Sequence, residues 1–176
     1  TLAELMIPAA EISEQISLAS TEASGTSNMK FMLNGALTLG TEDGANVEIH
    51  EAVGDDNIFI FGMKTPEVLK LQKYGYNPSE YYNNNIRLKN ALDFIGKGID
   101  AKPFDNIYNT LKNTDTYMAL ADFSDYCETQ KKITESYSDT LSWNKKSLIN
   151  IANSGIFAAD RSISDYANNI WHIKPV

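Results

Sequence analysis

A run of aromatic and β-branched residues, Asn57 to Gly62, is the strongest fold signal in the sequence. It predicts a strand that ends at the glycine. Upstream of it, short predicted strands and helices alternate. The strands are expected at Glu11 to Ala19 and Ala36 to Leu39, and the helices at Leu2 to Ala10, Ser27 to Asn34 and Ala45 to Val53. This alternation is typical of an α/β domain.

After Gly62 the pattern becomes helical. Thr65, Pro66 and Glu67 predict a helix start, and Gly75 predicts its end. Four further helices are expected at Glu80 to Ile95, Phe104 to Lys112, Asp122 to Tyr137 and Leu141 to Ala152. Ser162 to Asp165 resembles a capping box that opens a final helix. The sequence therefore predicts an α/β segment, residues 1–63, followed by a mainly helical region of the same lobe, residues 64–176.

The composition excludes several classes of partner. A net charge of −8 without a Lys/Arg cluster argues against nucleic acid. No apolar run approaches the roughly 18 to 20 residues of a membrane span, and no signal peptide opens the sequence. The single Cys127 excludes an internal disulfide and suits a reducing compartment. We therefore expect a cytoplasmic domain with no nucleic-acid or membrane partner.

Lys30 is the only Lys or Arg from Thr1 to Met63, a stretch that holds ten acidic residues. It follows a glycine turn, Gly25, that leads directly into a predicted helix. The first backbone N–H groups of a helix lack internal partners and face a positive dipole end, where a phosphate can bind. Thr26 and Ser27 add hydroxyl groups there, and Lys30 lies one turn, roughly 5.4 Å, after Thr26.

Pyridoxal phosphate has a phosphate at one end and an aldehyde at the other, so it could bridge this pair. A buried lysine is the residue type that forms its Schiff base. The same residues also allow simpler interpretations. The turn could be only a helix cap, Lys30 a solvated side chain, and the gap in basic residues a matter of chance.

The segment Glu22 to Asn34 resembles the pyridoxal-phosphate attachment signature of the α-glucan phosphorylases, the glycogen, starch and maltodextrin enzymes. The resemblance covers essentially the whole chain and weakens from about Asn83 to Met118. It includes Ile7 to Ala10, Ser13 to Ser17, Asn34 to Thr41, Asp43 to Glu48, Phe59 to Gly62, Gly75 to Asn77, Glu80 to Tyr82, and Asp160 with Arg161.

The resemblance implies a fold and a set of site residues. The fold would be the C-terminal portion of a Rossmann-like lobe of a two-lobe (GT-B type) glycosyltransferase. Lys30 would be the catalytic lysine that holds pyridoxal 5'-phosphate as a Schiff base, and Thr26 and Ser27 would bind the cofactor phosphate. The substrate-binding residues would be Glu22, which accepts hydrogen bonds from glucose hydroxyls, and the backbone of Ala23, Ser24 and Gly25.

The resemblance also implies a reaction. Inorganic phosphate would cleave the terminal unit of an α-1,4-glucan and release glucose 1-phosphate. The full enzyme would be a homodimer, open to allosteric control, whose N-terminal lobe supplies the other wall of the cleft. We expect the chain alone to bind cofactor weakly, to be inactive, and to expose apolar surface.

Two other functions stay open at this point. A sugar-nucleotide-dependent glucosyltransferase lobe would share the two-lobe plan but lack the Schiff-base lysine. A non-catalytic homologous module is the second alternative. No metal site is predicted, because the acidic pairs Glu42-Asp43 and Asp55-Asp56 lack a ligand-loop pattern. His50 is expected to be a helix-surface residue.

Overall fold

Three parallel strands form a small sheet in the computed structural model, which describes residues 1–100 and 102–173. The strands are β1 (Ile12–Gln15), β2 (Leu37–Gly40) and β3 (Phe59–Ile60), in the order β1-β2-β3. Ile12 pairs with Leu37, and Leu39 pairs with Phe59. Because the strands are parallel, their carboxyl ends lie at one edge of the sheet, where the connecting loops meet.

Most of the described residues lie in helices. The α-helices are α1 (Leu2–Met6), α2 (Ser27–Leu33), α3 (Ala45–Val53), α4 (Thr65–Tyr74), α5 (Pro78–Asn84), α6 (Ile86–Lys97), α7 (Asp105–Asn113), α8 (Ala119–Ser138), α9 (Thr140–Asn153) and α10 (Ala159–Tyr166). Short 3-10 turns span Ile7–Ala9, Asp55–Asn57 and Ser154–Phe157, and a π-helix, Ala167–Trp171, continues α10. The predicted α/β class, with a mainly helical second part, is confirmed at this coarse level.

Several predicted helices were wrong in their bounds. The helix from Leu2 ends at Met6 and continues as a 3-10 turn, and the helix expected from Asp122 begins at Ala119. The single helix expected from Glu80 to Ile95 is two helices, because Asn85 is extended (φ −125°, ψ 103°) and its side chain accepts from the N–H groups of Arg87 and Leu88. Asparagine is a strong N-cap, and here it starts α6. The expected capping box at Ser162 lies inside α10, which already begins at Ala159.

Two hydrophobic clusters cover the two faces of the sheet. Phe59 and Ile60 are consecutive residues of β3 and contact different clusters, so these clusters lie on opposite faces. The first cluster contains Leu37, Leu39, Phe61, Ile133 and Trp143, so α8 and α9 cover that face. The second contains Met32, Ile49, Val53 and Ile58, so α2 and α3 cover the other. The segments 1–63 and 64–176 thus share a core, and the division between them stays a prediction.

Apolar side chains remain exposed at the two ends of the described chain. In α1 these are Leu2, Leu5 and Met6, and around the π-helix they are Ile163, Ile170 and Trp171. The expected exposure of apolar surface is therefore confirmed. None of the helices in the described ranges has both the length and the apolar content needed to cross a membrane.

Candidate functional site

Two loops meet at the carboxyl edge of the sheet. The first, residues 16–26, leaves β1 and enters α2, and we call it the site loop. The second, residues 41–44, leaves β2 and enters α3. Together they border a cavity of about 190 Å³, lined by residues that include Gln15, Glu22, Ser24, Gly25, Ser27 and Asn46. Four predicted site residues therefore surround one cavity, whereas Ala23, Thr26 and Lys30 are not among its lining residues.

The start of α2 keeps polar groups available for a ligand. Thr26 is the N-cap residue (φ −124°, ψ −22°), but its side chain makes no capping hydrogen bond. Ser27 Oγ donates to Gln15 Oε1 at 3.3 Å, which ties the helix start to the end of β1. Within the described residues, the backbone N–H of Ser27 has no acceptor. The Thr26 hydroxyl and this N–H can therefore donate to an anion placed at the helix start.

Lys30 is exposed, which corrects the expectation of a buried lysine. The buried side of α2 carries Asn28 and Met32, four residues apart, and Lys30 lies between them on the opposite side of the helix. Over the described part of the chain, no carboxylate forms an ion pair with its Nζ. The amine is therefore exposed on a residue that lies one helical turn after Thr26.

The site loop packs closely against Gly44. This glycine has φ +50°, and a Cβ at its position would lie 2.5 Å from the carbonyl oxygen of Ser24 and 3.0 Å from Cγ of Glu22. The next residue, Ala45, donates its N–H to the same Ser24 oxygen at 2.6 Å. Glu22 itself is exposed, and its Oε1 accepts from Ser24 N at 3.5 Å. Gly44 thus sets how closely the loop with Glu22 approaches α3.

Asp43 holds the site loop from the second loop, and sequence reasoning missed this role. The residue is 5% exposed. Its Oδ2 accepts from Ser17 Oγ and from the N–H of Glu22, both at 2.8 Å, and its Oδ1 accepts from the N–H of Ser20 at 2.7 Å. In the sequence, Asp43 stands directly before Gly44 and after a predicted strand, and Asp-Gly is a common turn pair. This pattern predicts a turn but does not predict which residues donate hydrogen bonds to the Asp43 carboxylate.

Two buried asparagines join the starts of α2 and α3. Asn28 and Asn46 are each 2% exposed, and Nδ2 of Asn28 donates to Oδ1 of Asn46 at 3.0 Å. Asn46 Nδ2 donates in turn to the carbonyl oxygen of Thr41 at 3.1 Å, and Asn28 Oδ1 accepts from the N–H of Met29 at 2.9 Å. Since buried amides are stable only when paired, this network orients both helix starts.

His50 lies between the two acidic pairs and outside the cavity. Its Nδ1 is 2.5 Å from Glu42 Oε1, and its Nε2 is 2.7 Å from Asp55 Oδ1. It is only partly exposed, so the expected surface position is correct in part. Burial by itself lowers the pKa of His50, but the hydrogen bonds and charges of Asp55 and Glu42 outweigh it and raise the pKa above its usual value. His50 thus bridges α3 to the turn before β3.

The chain is similar in sequence to a known protein family along almost its whole length. The family model described as "Carbohydrate phosphorylase" matches residues 1–173. The chain is 52% identical to the glycogen phosphorylase of Haemophilus influenzae over 180 residues, covering 100% of this chain and 22% of the relative. It is 48% identical to that of Bacillus subtilis (100% and 23%), and 47% identical to the human muscle form (99% and 21%). The chain therefore spans about a fifth of the length of these relatives.

Proposed function

The chain belongs to the carbohydrate phosphorylase family, and from this we propose that it is the C-terminal part of a pyridoxal-phosphate-dependent α-glucan phosphorylase. The full-length protein would cleave terminal α-1,4-glucosyl units with inorganic phosphate and release glucose 1-phosphate. The chain would form part of the Rossmann-like C-terminal lobe of a two-lobe glycosyltransferase. The whole-chain likeness to glycogen phosphorylases from bacteria and mammals supports this proposal.

The observation that carries the proposal is the placement of Thr26, Ser27 and Lys30 on one short helix. The N–H of Lys30 donates to the carbonyl oxygen of Thr26 at 3.4 Å, so the two residues are separated by one helical turn. The Thr26 hydroxyl is not used as a helix cap, and the Lys30 amine is exposed. An anion-binding group and an exposed amine therefore lie one helical turn apart along α2, and these residues fit pyridoxal phosphate.

In this proposal, Lys30, Thr26 and Ser27 each bind a different part of the cofactor or of its phosphate. Lys30 would bind it covalently through its amine, and Thr26 Oγ1 and Ser27 N–H would donate to its phosphate. When bound, the cofactor supplies a phosphate group that acts as acid and base toward the substrate phosphate. Thr26 and Ser27 therefore determine where that phosphate is held.

Glu22 and the residues after it would form the glucose subsite. A carboxylate accepts strong hydrogen bonds from sugar hydroxyls, and the Glu22 carboxylate is exposed beside the cavity. The Ser24 N–H already points toward Glu22 Oε1, so a sugar hydroxyl could bind both groups. The backbone of Ala23 and Gly25 would complete this wall.

Positive charge for the reaction must come from elsewhere in the full-length protein. Two phosphates and a cationic sugar centre meet in the proposed reaction, yet Lys30 is the only Lys or Arg before Lys64. The N-terminal lobe would supply the remaining cations and the other wall of the cleft. We therefore expect no turnover by residues 1–176 alone.

The proposal is tested on the full-length protein that carries this chain. It should form glucose 1-phosphate from glucan and inorganic phosphate. Mass spectrometry after borohydride reduction should find a pyridoxyl group on Lys30. Lys30→Met should lower activity by more than about 1000-fold, because a covalent anchor is lost, while Lys70→Met, at an exposed lysine of α4, should leave it unchanged. Full activity in Lys30→Met would refute the role of Lys30.

A further inference from the structure

Asp43 is a buried carboxylate whose hydrogen-bond partners all lie in the site loop. One donor is a side chain, Ser17 Oγ, and two are backbone N–H groups, those of Ser20 and Glu22. These donors span six residues of a loop without secondary structure of its own. A carboxylate that accepts three hydrogen bonds, all from one segment, restricts the path of that segment.

The site loop contains a residue in an unfavourable backbone conformation, which the hydrogen bonds to Asp43 stabilise. Ser20 has φ +72°, a left-handed conformation that is rare for a residue other than glycine. The Ser20 N–H donates to Asp43 Oδ1 at 2.7 Å, so Asp43 holds the residue in this conformation. Two residues later, the N–H of Glu22 donates to the other carboxylate oxygen. The backbone of Glu22 is therefore placed directly by Asp43.

The neighbours of Asp43 support the same loop. Thr41 Oγ1 donates to the carbonyl oxygen of Ser17 at 2.7 Å, and Ala45 N–H donates to that of Ser24 at 2.6 Å. The segment 41–45 thus contacts the site loop before, at and after Glu22. It is itself attached to the sheet through the end of β2.

We propose that Asp43 is the positioning residue of the glucose subsite, acting through the backbone of Glu22. This inference rests on the proposed function, in which Glu22 binds the sugar. Asp43 does not touch the substrate in this role. It places the Glu22 carboxylate and the N–H groups after it at fixed positions, so that a sugar binds without reordering the loop.

Asparagine cannot replace Asp43 in this arrangement. Oδ2 accepts two hydrogen bonds and Oδ1 accepts one, and each oxygen faces a backbone N–H. In Asp43→Asn, one of the oxygens becomes an NH₂ group, which is a donor. Either Ser20 N–H or Glu22 N–H then faces another donor, and the loop must move.

The test uses a double-mutant cycle in the full-length protein. Asp43→Asn should lower kcat/KM for glucose 1-phosphate, in the direction of glucan synthesis, by about 10- to 100-fold, the range expected when a substrate-binding group is misplaced. If Asp43 acts through Glu22, the double variant with Glu22→Gln should lose much less than the product of the two single losses. Amide exchange of peptides covering residues 17–25 should become faster in Asp43→Asn.

Asn85→Ala is the control. Asn85 Oδ1 accepts from two backbone N–H groups, those of Arg87 and Leu88 at the start of α6, and the cluster that contains Leu88 includes no residue of the site loop. This variant should lower thermal stability without coupling to Glu22→Gln and without changing exchange in the site loop. If Asp43→Asn does not fold, Ser17→Ala, which removes one of the three donors, should show the same coupling at a smaller size.

Two results would overturn the inference. One is a loss of kcat/KM in the Asp43→Asn, Glu22→Gln double variant that equals the product of the losses in the two single variants. The other is a kcat/KM for Asp43→Asn within twofold of the unmodified protein, with unchanged exchange in the site loop. A full-length protein that makes no glucose 1-phosphate at all would instead contradict the proposed function, and the exchange measurement would still report on Asp43.

Discussion

Asn28 at the start of α2 donates its side-chain amide to Asn46 at the start of α3, with an Nδ2 to Oδ1 distance of 3.0 Å and both residues buried. The two residues are 18 positions apart, and β2 lies between them. The pair connects the helix with the proposed cofactor lysine to the helix that follows Asp43 and Gly44. The geometry of the site therefore depends on contacts that carry no chemistry of their own.

Asn46→Ala should destabilise the fold by about 1–3 kcal/mol, because it leaves the buried Asn28 amide without its acceptor and removes one of the two donors to the Thr41 carbonyl oxygen, which keeps the N–H of Asp43. Thermal unfolding of the full-length protein would measure the loss. The matched control is Asn153→Ala, since the Asn153 side chain is half-buried and, among the described residues, donates only to the carbonyl oxygen of Ile149. It should stay within about 0.5 kcal/mol. Equal losses in both variants would contradict the role of the asparagine pair.

Thr26→Val should weaken retention of pyridoxal phosphate while leaving stability nearly unchanged. Valine has the same shape but lacks the hydroxyl, and the Thr26 side chain makes no capping hydrogen bond whose loss would destabilise α2. We expect cofactor to dissociate about tenfold faster, in line with one lost hydrogen bond to a charged group. Cofactor absorbance after dialysis measures this. Thr26→Ser keeps the hydroxyl and should behave like the unmodified protein. Equal retention in Val and Ser variants would exclude the hydroxyl as a phosphate donor.

Gly44→Ala should displace the site loop. The added Cβ would lie 2.5 Å from the Ser24 carbonyl oxygen at a backbone conformation of φ +50° and ψ −145°. We expect a loss of stability of about 1–3 kcal/mol and lower affinity for glucose. Two effects contribute to this loss: backbone strain at positive φ and the clash of the added Cβ with the site loop. Gly54→Ala separates them, because Gly54 also has positive φ (+77°) but has no atom within 4 Å of an added Cβ. Gly54→Ala should reduce stability through backbone strain alone and leave glucose affinity intact. Normal glucose affinity in Gly44→Ala would contradict the packing argument.

His50 should stabilise the protein in a pH-dependent way. Its pKa in the folded state lies above the usual value of 6.5. Its protonated form is therefore stabilised by folding, fully below about pH 6.5, and this contribution is lost as pH rises through the folded pKa. His50→Gln should lower the unfolding midpoint more at pH 6 than at pH 9. His172→Gln serves as the control, because the His172 ring hydrogen-bonds to the Asn168 carbonyl oxygen and, among the described residues, forms no ion pair with a carboxylate. A pH-independent loss in His50→Gln would contradict the ion pairs with Glu42 and Asp55.

The elements that the sequence predicted well are those specified by neighbouring residues. The helix from Ser27 with Gly35 behind it, the short strand ending at Leu39 and the helix Ala45–Val53 all appear within a residue of the expected bounds. The strand expected from Asn57 to Gly62 is only Phe59–Ile60. Asn57 belongs to the 3-10 turn Asp55–Asn57, and pairing stops after Ile60 because the partner strand β2 ends at Gly40. The single helix expected from Glu80 to Ile95 is interrupted at Asn85, because the Asn85 side chain caps the start of a new helix, α6.

The sequence by itself determined the local chemistry of this protein: a glycine turn, a helix start with hydroxyl groups, and one lysine a turn later, all within nine consecutive residues from Glu22 to Lys30. Only the tertiary structure decided that Lys30 is exposed and that Asp43 holds the loop with Glu22. Burial depends on which elements pack against a helix face, and the donors to Asp43 lie 21 to 26 positions away along the chain. Those contacts form only when two parallel strands bring their following loops to the same edge of the sheet.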